Sequence, residues 1–117
     1  MNRIEILRTY LDEVLLNMSN LDHRRWAFLH LYGVAQACAL LALKRGQNAE
    51  LATMAGMLHD IYSYTNNTTN HAHQGAILAK DILNRLQITN EEETEAICKA
   101  IYHHSDKATK YSDFKKY

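Results

Sequence analysis

The chain has 117 residues, of which 47% are hydrophobic and 22% charged, a composition typical of one globular domain. Its 13 basic and 13 acidic residues cancel, which excludes a strongly basic surface for nucleic acid and a polybasic membrane anchor. The longest nearly apolar run, Val34 to Leu43, has ten residues and is too short to span a bilayer. Two cysteines do not make a disulfide framework and the N-terminus lacks a signal-peptide pattern, so we expect a cytoplasmic protein without a membrane partner.

The first half of the chain predicts three helices. Apolar residues at helical spacing indicate a first helix from Arg3 to Leu16. Asp22 is predicted to cap a second helix that ends near Arg45, where cations are followed by a glycine. Asn48 is predicted to cap a third helix, whose apolar residues continue to Ile61.

The second half predicts two more helices. The polar stretch from Thr65 to Asn70 indicates a loop, with Asn70 capping a fourth helix that ends near Leu86. Thr89 and Glu92 have the spacing of a capping box for a fifth helix, which ends near His104. No segment alternates as a strand does, and no proline interrupts the chain. We therefore predict an all-α fold, with residues 1–117 forming one compact bundle of about five helices.

The seven histidines divide by helical face. Spacings of three, four and seven residues place four of them on the apolar faces of four different helices: His30, His59, His71 and His104. The other three fall on polar faces or in a charged turn: His23, His73 and His103. Each inward imidazole brings two nitrogens, and an unsatisfied buried polar group costs ~1–3 kcal/mol.

Backbone groups can satisfy one such histidine, but four together favour a shared metal ion, because neutral imidazole is a natural metal ligand. Asp60, directly after His59, adds a carboxylate. Adjacent helical residues point about 100° apart, so His59 and Asp60 can reach one ion only near a helix end. The loop signals that follow Tyr64 place the pair near such an end.

The order of these motifs resembles the HD-domain superfamily of metal-dependent phosphohydrolases. His30 opens the segment HLYGVAQACALLALKRGQNAELATMAGMLHD, which closes with His59 and Asp60, and HAHQGAILAKDIL and AIYHHSDK are similar to the two further histidine motifs of that family. The resemblance covers about residues 25–107. HD domains close the site with an aspartate on a further helix, whereas the acids here after His104 are Asp106 and Asp113, in a different context. The chain thus resembles a short or C-terminally truncated bacterial-type member.

The resemblance implies a centre of one or two divalent ions, with iron or manganese favoured. The metal ligands that it implies are His30, His59, Asp60, His71 and His104. His30 and His59 would hold one ion and His71 and His104 the other, with Asp60 bridging them and a water between them as nucleophile. Lys107, in the HSDK motif, would steady the substrate phosphate, which makes Asp60 and Lys107 the candidate catalytic residues.

These features favour a phosphatase or phosphodiesterase acting on a nucleotide or another small phosphorylated molecule. The alternatives are a non-catalytic, metal-binding regulatory scaffold that lost its closing aspartate, and a helical interaction domain with satisfied core histidines. A missing closing helix would leave apolar surface uncovered, so we also expect a tendency to form homodimers. Tyr62 and Tyr64 either line a ligand pocket or pack near the loop.

Overall fold

The computed structural model describes residues 2–65 and 71–103, with the backbone alone at 65, 71 and 72. Within these ranges the chain forms six α-helices and no strand. The helices are α1 Arg3–Leu16, α2 Leu21–Lys44, α3 Ala49–Leu58, α4 Ile61–Thr65, α5 His71–Leu86 and α6 Glu91–Tyr102. The predicted all-α fold is confirmed: five longer helices match the predicted ones, and α4 is a short addition.

Asparagine side chains cap four of the described helices: Asn2, Asn20, Asn48 and Asn90. Asn48 caps α3 as predicted. The prediction that Asp22 caps α2 is wrong, because Asn20 Oδ1 accepts the backbone N–H of His23 at 2.9 Å and Asp22 lies within the first turn. There its negative charge faces the positive end of the helix dipole.

The capping box of α6 is displaced by one residue from the predicted pair of Thr89 and Glu92. Asn90 Oδ1 accepts the Glu93 backbone N–H at 2.8 Å, and the Asn90 backbone N–H donates to Glu93 Oε1 at 3.0 Å. The reciprocal pair satisfies two amide groups that the first turn leaves unpaired. The predicted cap Asn70 lies outside the described residues.

The predicted third helix is interrupted where the sequence reads His59-Asp60. Helix α3 ends at Leu58 with His59 as its C-cap, and α4 begins at Ile61. The break places the His59–Asp60 pair at a helix end, the position at which two adjacent side chains can reach one point.

Helix α3 lies at the centre of the bundle and packs against α1, α2 and α6, while α5 packs against α4 and α6. Met54, Met57 and Leu58 of α3 are almost completely buried. The backbones of α2 and α3 approach closely at Gly56, where an added Cβ would lie 2.8 Å from Ala35 Cα. This approach fixes α2 against the end of α3 that carries His59.

Helix α2 has a buried face and an exposed apolar face. The buried residues are Ala27, Leu31, Ala35 and Ala42. The exposed large apolar residues are Leu21, Trp26, Leu29, Leu40 and Leu43, of which Leu29 is 76% exposed. Nothing in the described structure shows what covers this face, and the homodimer stays a prediction.

By length and composition alone, α2 is able to cross a membrane, since it has 24 residues and its most apolar window has a mean hydropathy of 1.6. The helix is therefore longer and more apolar than the ten-residue run from Val34 to Leu43 suggested. Core helices and signal sequences meet the same criterion, and α2 contributes its buried face to the bundle. The cytoplasmic location and the absence of a membrane partner stay predictions.

Candidate metal centre

Three predicted ligands meet where α2 passes the end of α3. His30 projects from the middle of α2, and Asp60 Oδ2 lies 3.0 Å from His30 Nε2 and 2.9 Å from His59 Nε2. One donor atom from each residue lies within 4.8 Å of the others. The side chains are 33% exposed at His30, 18% at His59 and 21% at Asp60, so the group is reachable from solvent. We call these three residues the His–Asp cluster.

The orientation of His59 is set by the helix that it caps. Its Nδ1 lies 2.8 Å from the Gly56 carbonyl oxygen. A carbonyl can only accept, so Nδ1 carries the proton, and a neutral His59 ring has its lone pair on Nε2, towards Asp60. Two acceptors then face each other at 2.9 Å, an arrangement that requires a proton or a cation between them. In metal-ligating histidines, the ring nitrogen that does not bind the metal typically donates its N–H to a carbonyl or a carboxylate, as Nδ1 does here.

The pKa of His59 agrees with this geometry. Burial lowers the pKa, but the hydrogen bond and negative charge of Asp60, together with the Gly56 carbonyl, raise it more, and the net shift is upward. In the metal-free protein, binding of a proton between His59 Nε2 and the Asp60 carboxylate is therefore favoured. A divalent cation can take that place, since two imidazole nitrogens and a carboxylate oxygen suit manganese, iron and zinc. The donor set fits the implied metal.

Two aromatic rings adjoin the cluster. The Trp26 indole lies parallel to the His30 ring, with centroids 4.7 Å apart and planes 7° apart. Tyr64 meets both rings edge-on, with centroids 6.1 Å from Trp26 and 6.4 Å from His30. Sequence reasoning missed Trp26, although its spacing of four residues from His30 on a helix was the available signal.

Tyr64 is 8% exposed, and its hydroxyl is buried without a hydrogen-bond partner in the described part of the chain. Burial raises the pKa of Tyr64, and the nearby charge of Asp60 raises it further, so the phenol stays protonated at neutral pH. The sequence left open whether Tyr64 lines a ligand pocket or serves packing. Its ring packs into the core, and it also lines a surface pocket.

The second half of the predicted centre is only partly described. His71 begins α5, and its side chain is outside the description. Gly75, one turn later, lies against the α3–α4 break, where an added Cβ would be 3.5 Å from the His59 carbonyl oxygen. His104 and Lys107 lie outside the described residues, as do Asp106 and Asp113. The roles of His71, His104 and Lys107 therefore stay predictions.

The three histidines predicted to face outwards do so. His23, His73 and His103 are exposed. His73 stacks on Tyr102, with ring centroids 4.1 Å apart. These residues contribute no atom to the His–Asp cluster, and His73 provides a control for substitutions within it.

The sequence model of the HD domain family matches residues 27–116. The chain therefore belongs to the HD domain family, a helical family whose members generally bind divalent metals. The match extends beyond residue 107, where the resemblance of the separate motifs ended. No curated protein and no solved structure matched the chain significantly.

Proposed function

We propose that this HD-domain protein is a metal-dependent phosphohydrolase that cleaves the phosphoric ester of a nucleotide or another small phosphorylated molecule. The observation that carries the proposal is the His–Asp cluster, in which one oxygen of Asp60 faces the Nε2 atoms of His30 and His59. The cluster is solvent-accessible and belongs to a chain of a metal-binding family. Core histidines that serve packing alone have no need of a partly exposed carboxylate between them.

In the proposed site His30, His59 and Asp60 hold a divalent ion, with manganese or iron favoured. When bound, the ion supplies positive charge for the phosphate oxygens and lowers the pKa of water. The Gly56 carbonyl keeps His59 Nε2 directed at the site, and the α3–α4 break lets Asp60 reach the same point. The protein thus contributes fixed ligands in a fixed orientation.

We extend the proposal to His71 and His104 as ligands of a second ion and to Lys107 as the partner of the substrate phosphate. Support for His71 comes from the backbone, because α5 packs against the α3–α4 break at Gly75, one helical turn after His71. The support for His104 and Lys107 is the HSDK motif itself.

The test combines metal analysis with an activity screen. Protein purified without chelator or affinity metal is analysed for bound metal and then assayed with Mn²⁺ against phosphatase and phosphodiesterase substrates. His59→Ala and Asp60→Ala should lose both the metal and the hydrolysis, whereas His73→Ala should keep both. Equal losses in all three variants would overturn the site.

The same experiment distinguishes the alternatives. Bound metal without hydrolysis of any phosphoric ester would identify a regulatory metal-binding scaffold. Wild-type protein that binds no metal would leave His30 and His59 as structural residues of a helical interaction domain.

A further inference from the structure

The Trp26 indole has one covered face and a large exposed area. One face is stacked on the His30 ring, and the ring edge meets Tyr64, yet 54% of the residue is exposed. Exposure of this size, in a ring that already has two aromatic neighbours, leaves an apolar plane open to solvent. The covered face of the same indole adjoins His30, a side chain of the candidate metal centre.

A surface pocket of about 510 Å³ lies between the end of α1 and the start of α2, and Tyr64, which meets the Trp26 ring edge-on, is one of its lining residues. Its lining includes Asn17, Asn20, His23 and Tyr64. Each asparagine uses one amide atom in the turn: Asn17 Nδ2 donates to the Glu13 carbonyl, and Asn20 Oδ1 accepts from His23. The pocket therefore combines one edge of the Tyr64 ring with amide and imidazole groups that can hydrogen-bond to a ligand.

Taken with the metal centre, these features match a ligand that joins a planar, hydrogen-bonding ring to a phosphate. We propose that Trp26, Tyr64 and this pocket bind the base of a nucleotide whose phosphate lies at the His–Asp cluster, an inference that rests on the proposed function. Trp26 is thus a specificity-determining residue: it contacts the base, while the phosphate lies at the ion that the His–Asp cluster would hold.

The physical basis is stacking on an exposed indole. Stacking of a base on an aromatic side chain is worth on the order of 5- to 100-fold in affinity when the ring is removed. A sugar phosphate lacks the planar ring and gains nothing from Trp26. The proposal therefore predicts a preference for AMP over ribose 5-phosphate that depends on Trp26.

The test uses the full-length chain with Mn²⁺ and two measurements. In the first, adenosine and ribose are titrated into isotope-labelled protein and followed by NMR, which requires no turnover. In the second, KM is measured by phosphate release from AMP and from ribose 5-phosphate. The variants are Trp26→Leu, which removes the ring, and Trp26→Phe, which keeps a smaller one. Tyr102→Leu is the matched control, since it removes an exposed ring stacked on a histidine outside the cluster.

Adenosine, but not ribose, should shift the resonances of Trp26 and His23. Trp26→Leu should weaken adenosine binding and raise the KM for AMP by on the order of 5- to 100-fold, with the KM for ribose 5-phosphate unchanged. Trp26→Phe should lie between, and Tyr102→Leu should behave as wild type. Equal binding of adenosine and ribose would overturn the inference, as would equal rises in both KM values, which would show that Trp26 acts only through His30. Failure of the proposed function has a different signature, namely no metal or no hydrolysis with any substrate.

Discussion

The two ends of α3 carry polar clusters of opposite character. At the first turn, the Arg3 guanidinium binds Glu50, Glu93 at 2.8 Å and the carbonyl of Ile88 at 3.1 Å, which joins α1, α3 and α6. We call this group the Arg3 clamp. At the other end lies the His–Asp cluster, in which two imidazoles share one carboxylate oxygen.

The difference lies in the source of positive charge. The clamp contains a permanent cation: hydrogen bonds and charges of its carboxylates raise the pKa of Arg3, and Arg3 lowers the pKa values of Glu50 and Glu93. Among the described residues, the His–Asp cluster contains no lysine or arginine, and a proton or a metal ion suits the place between His59 Nε2 and the Asp60 carboxylate. The permanent cation of the clamp suits it to holding helices together, whereas a place that suits an exchangeable proton also suits a bound metal ion.

The largest expected effect is that of the metal on the stability of the wild-type protein. At a free metal concentration about a hundredfold above the dissociation constant, binding should stabilise the fold by ~2.7 kcal/mol. Thermal unfolding with Mn²⁺ and with a chelator measures the shift. Asp60→Asn should abolish it, and Arg3→Met should retain its full size at a lower Tm. A shift that survives in Asp60→Asn would contradict the distinction between the clusters.

A change in stability of similar size, here a destabilisation, is expected when α2 and α3 are forced apart. Gly56→Ala places a methyl group against Ala35 and should destabilise the protein by ~1–3 kcal/mol. It should also weaken metal binding, since the α2–α3 approach sets the position of His30 relative to His59. Gly33→Ala is the matched control on α2, where nothing lies within 4 Å of an added Cβ, so it should be neutral or stabilising. Urea unfolding and metal titration of both variants measure the two effects, and unchanged metal affinity in Gly56→Ala would argue against the coupling.

A smaller loss is expected at the Arg3 clamp. Arg3→Met keeps much of the side-chain length. It removes the positive charge and the hydrogen bonds to Glu50, Glu93 and the Ile88 carbonyl. Because the clamp is partly exposed, we expect a fall in Tm on the order of 5 °C. Metal stoichiometry should remain that of the wild type. A loss of metal in this variant would show that the two ends of α3 are not independent.

The smallest effect is the pH dependence, which should have opposite signs at the two ends. The pKa values of Glu50 and Glu93 are lowered, so the clamp stabilises the fold above their ordinary pKa of 4.5 and is lost as pH falls through the lowered values. The pKa of His59 is raised, so in metal-free protein its contribution is present below its ordinary value of 6.5 and is lost as pH rises through the raised value.

Chemical unfolding of metal-free protein between pH 3 and 8 tests both signs. The stability difference between wild type and Arg3→Met should shrink at the acid end. The difference between wild type and Asp60→Asn should shrink at the alkaline end. Parallel profiles for the two variants would show that the titrations have been assigned to the wrong groups.

Helical spacing was sufficient to predict the all-α fold and the outward faces of His73 and His103, because such faces depend only on local geometry. Two local details were misassigned: the caps at Asn20 and Asn90 have competing polar neighbours, Asp22 and Thr89, one or two residues away. The choice between neighbours depends on where the preceding chain enters the helix, which is a tertiary property.

In the candidate site, too, features that depend on local geometry were predicted and features that depend on tertiary structure were not. The prediction that His59 and Asp60 lie near a helix end was confirmed, but the break that separates α3 from α4 has no glycine or proline to mark it. The contacts of Tyr64 with Trp26 and His30 also went unrecognised, since they join residues far apart in the chain. Such contacts follow from packing rather than from periodicity.

The stack of Trp26 on His30 has an optical consequence. Trp26 is the single tryptophan of the chain, so all indole fluorescence originates within 4.7 Å of the centre of one candidate ligand ring. The arrival of a paramagnetic ion at the His–Asp cluster should therefore quench the emission of the whole protein. Trp26 fluorescence should therefore report whether the candidate metal centre is occupied, in dilute solution and without a label.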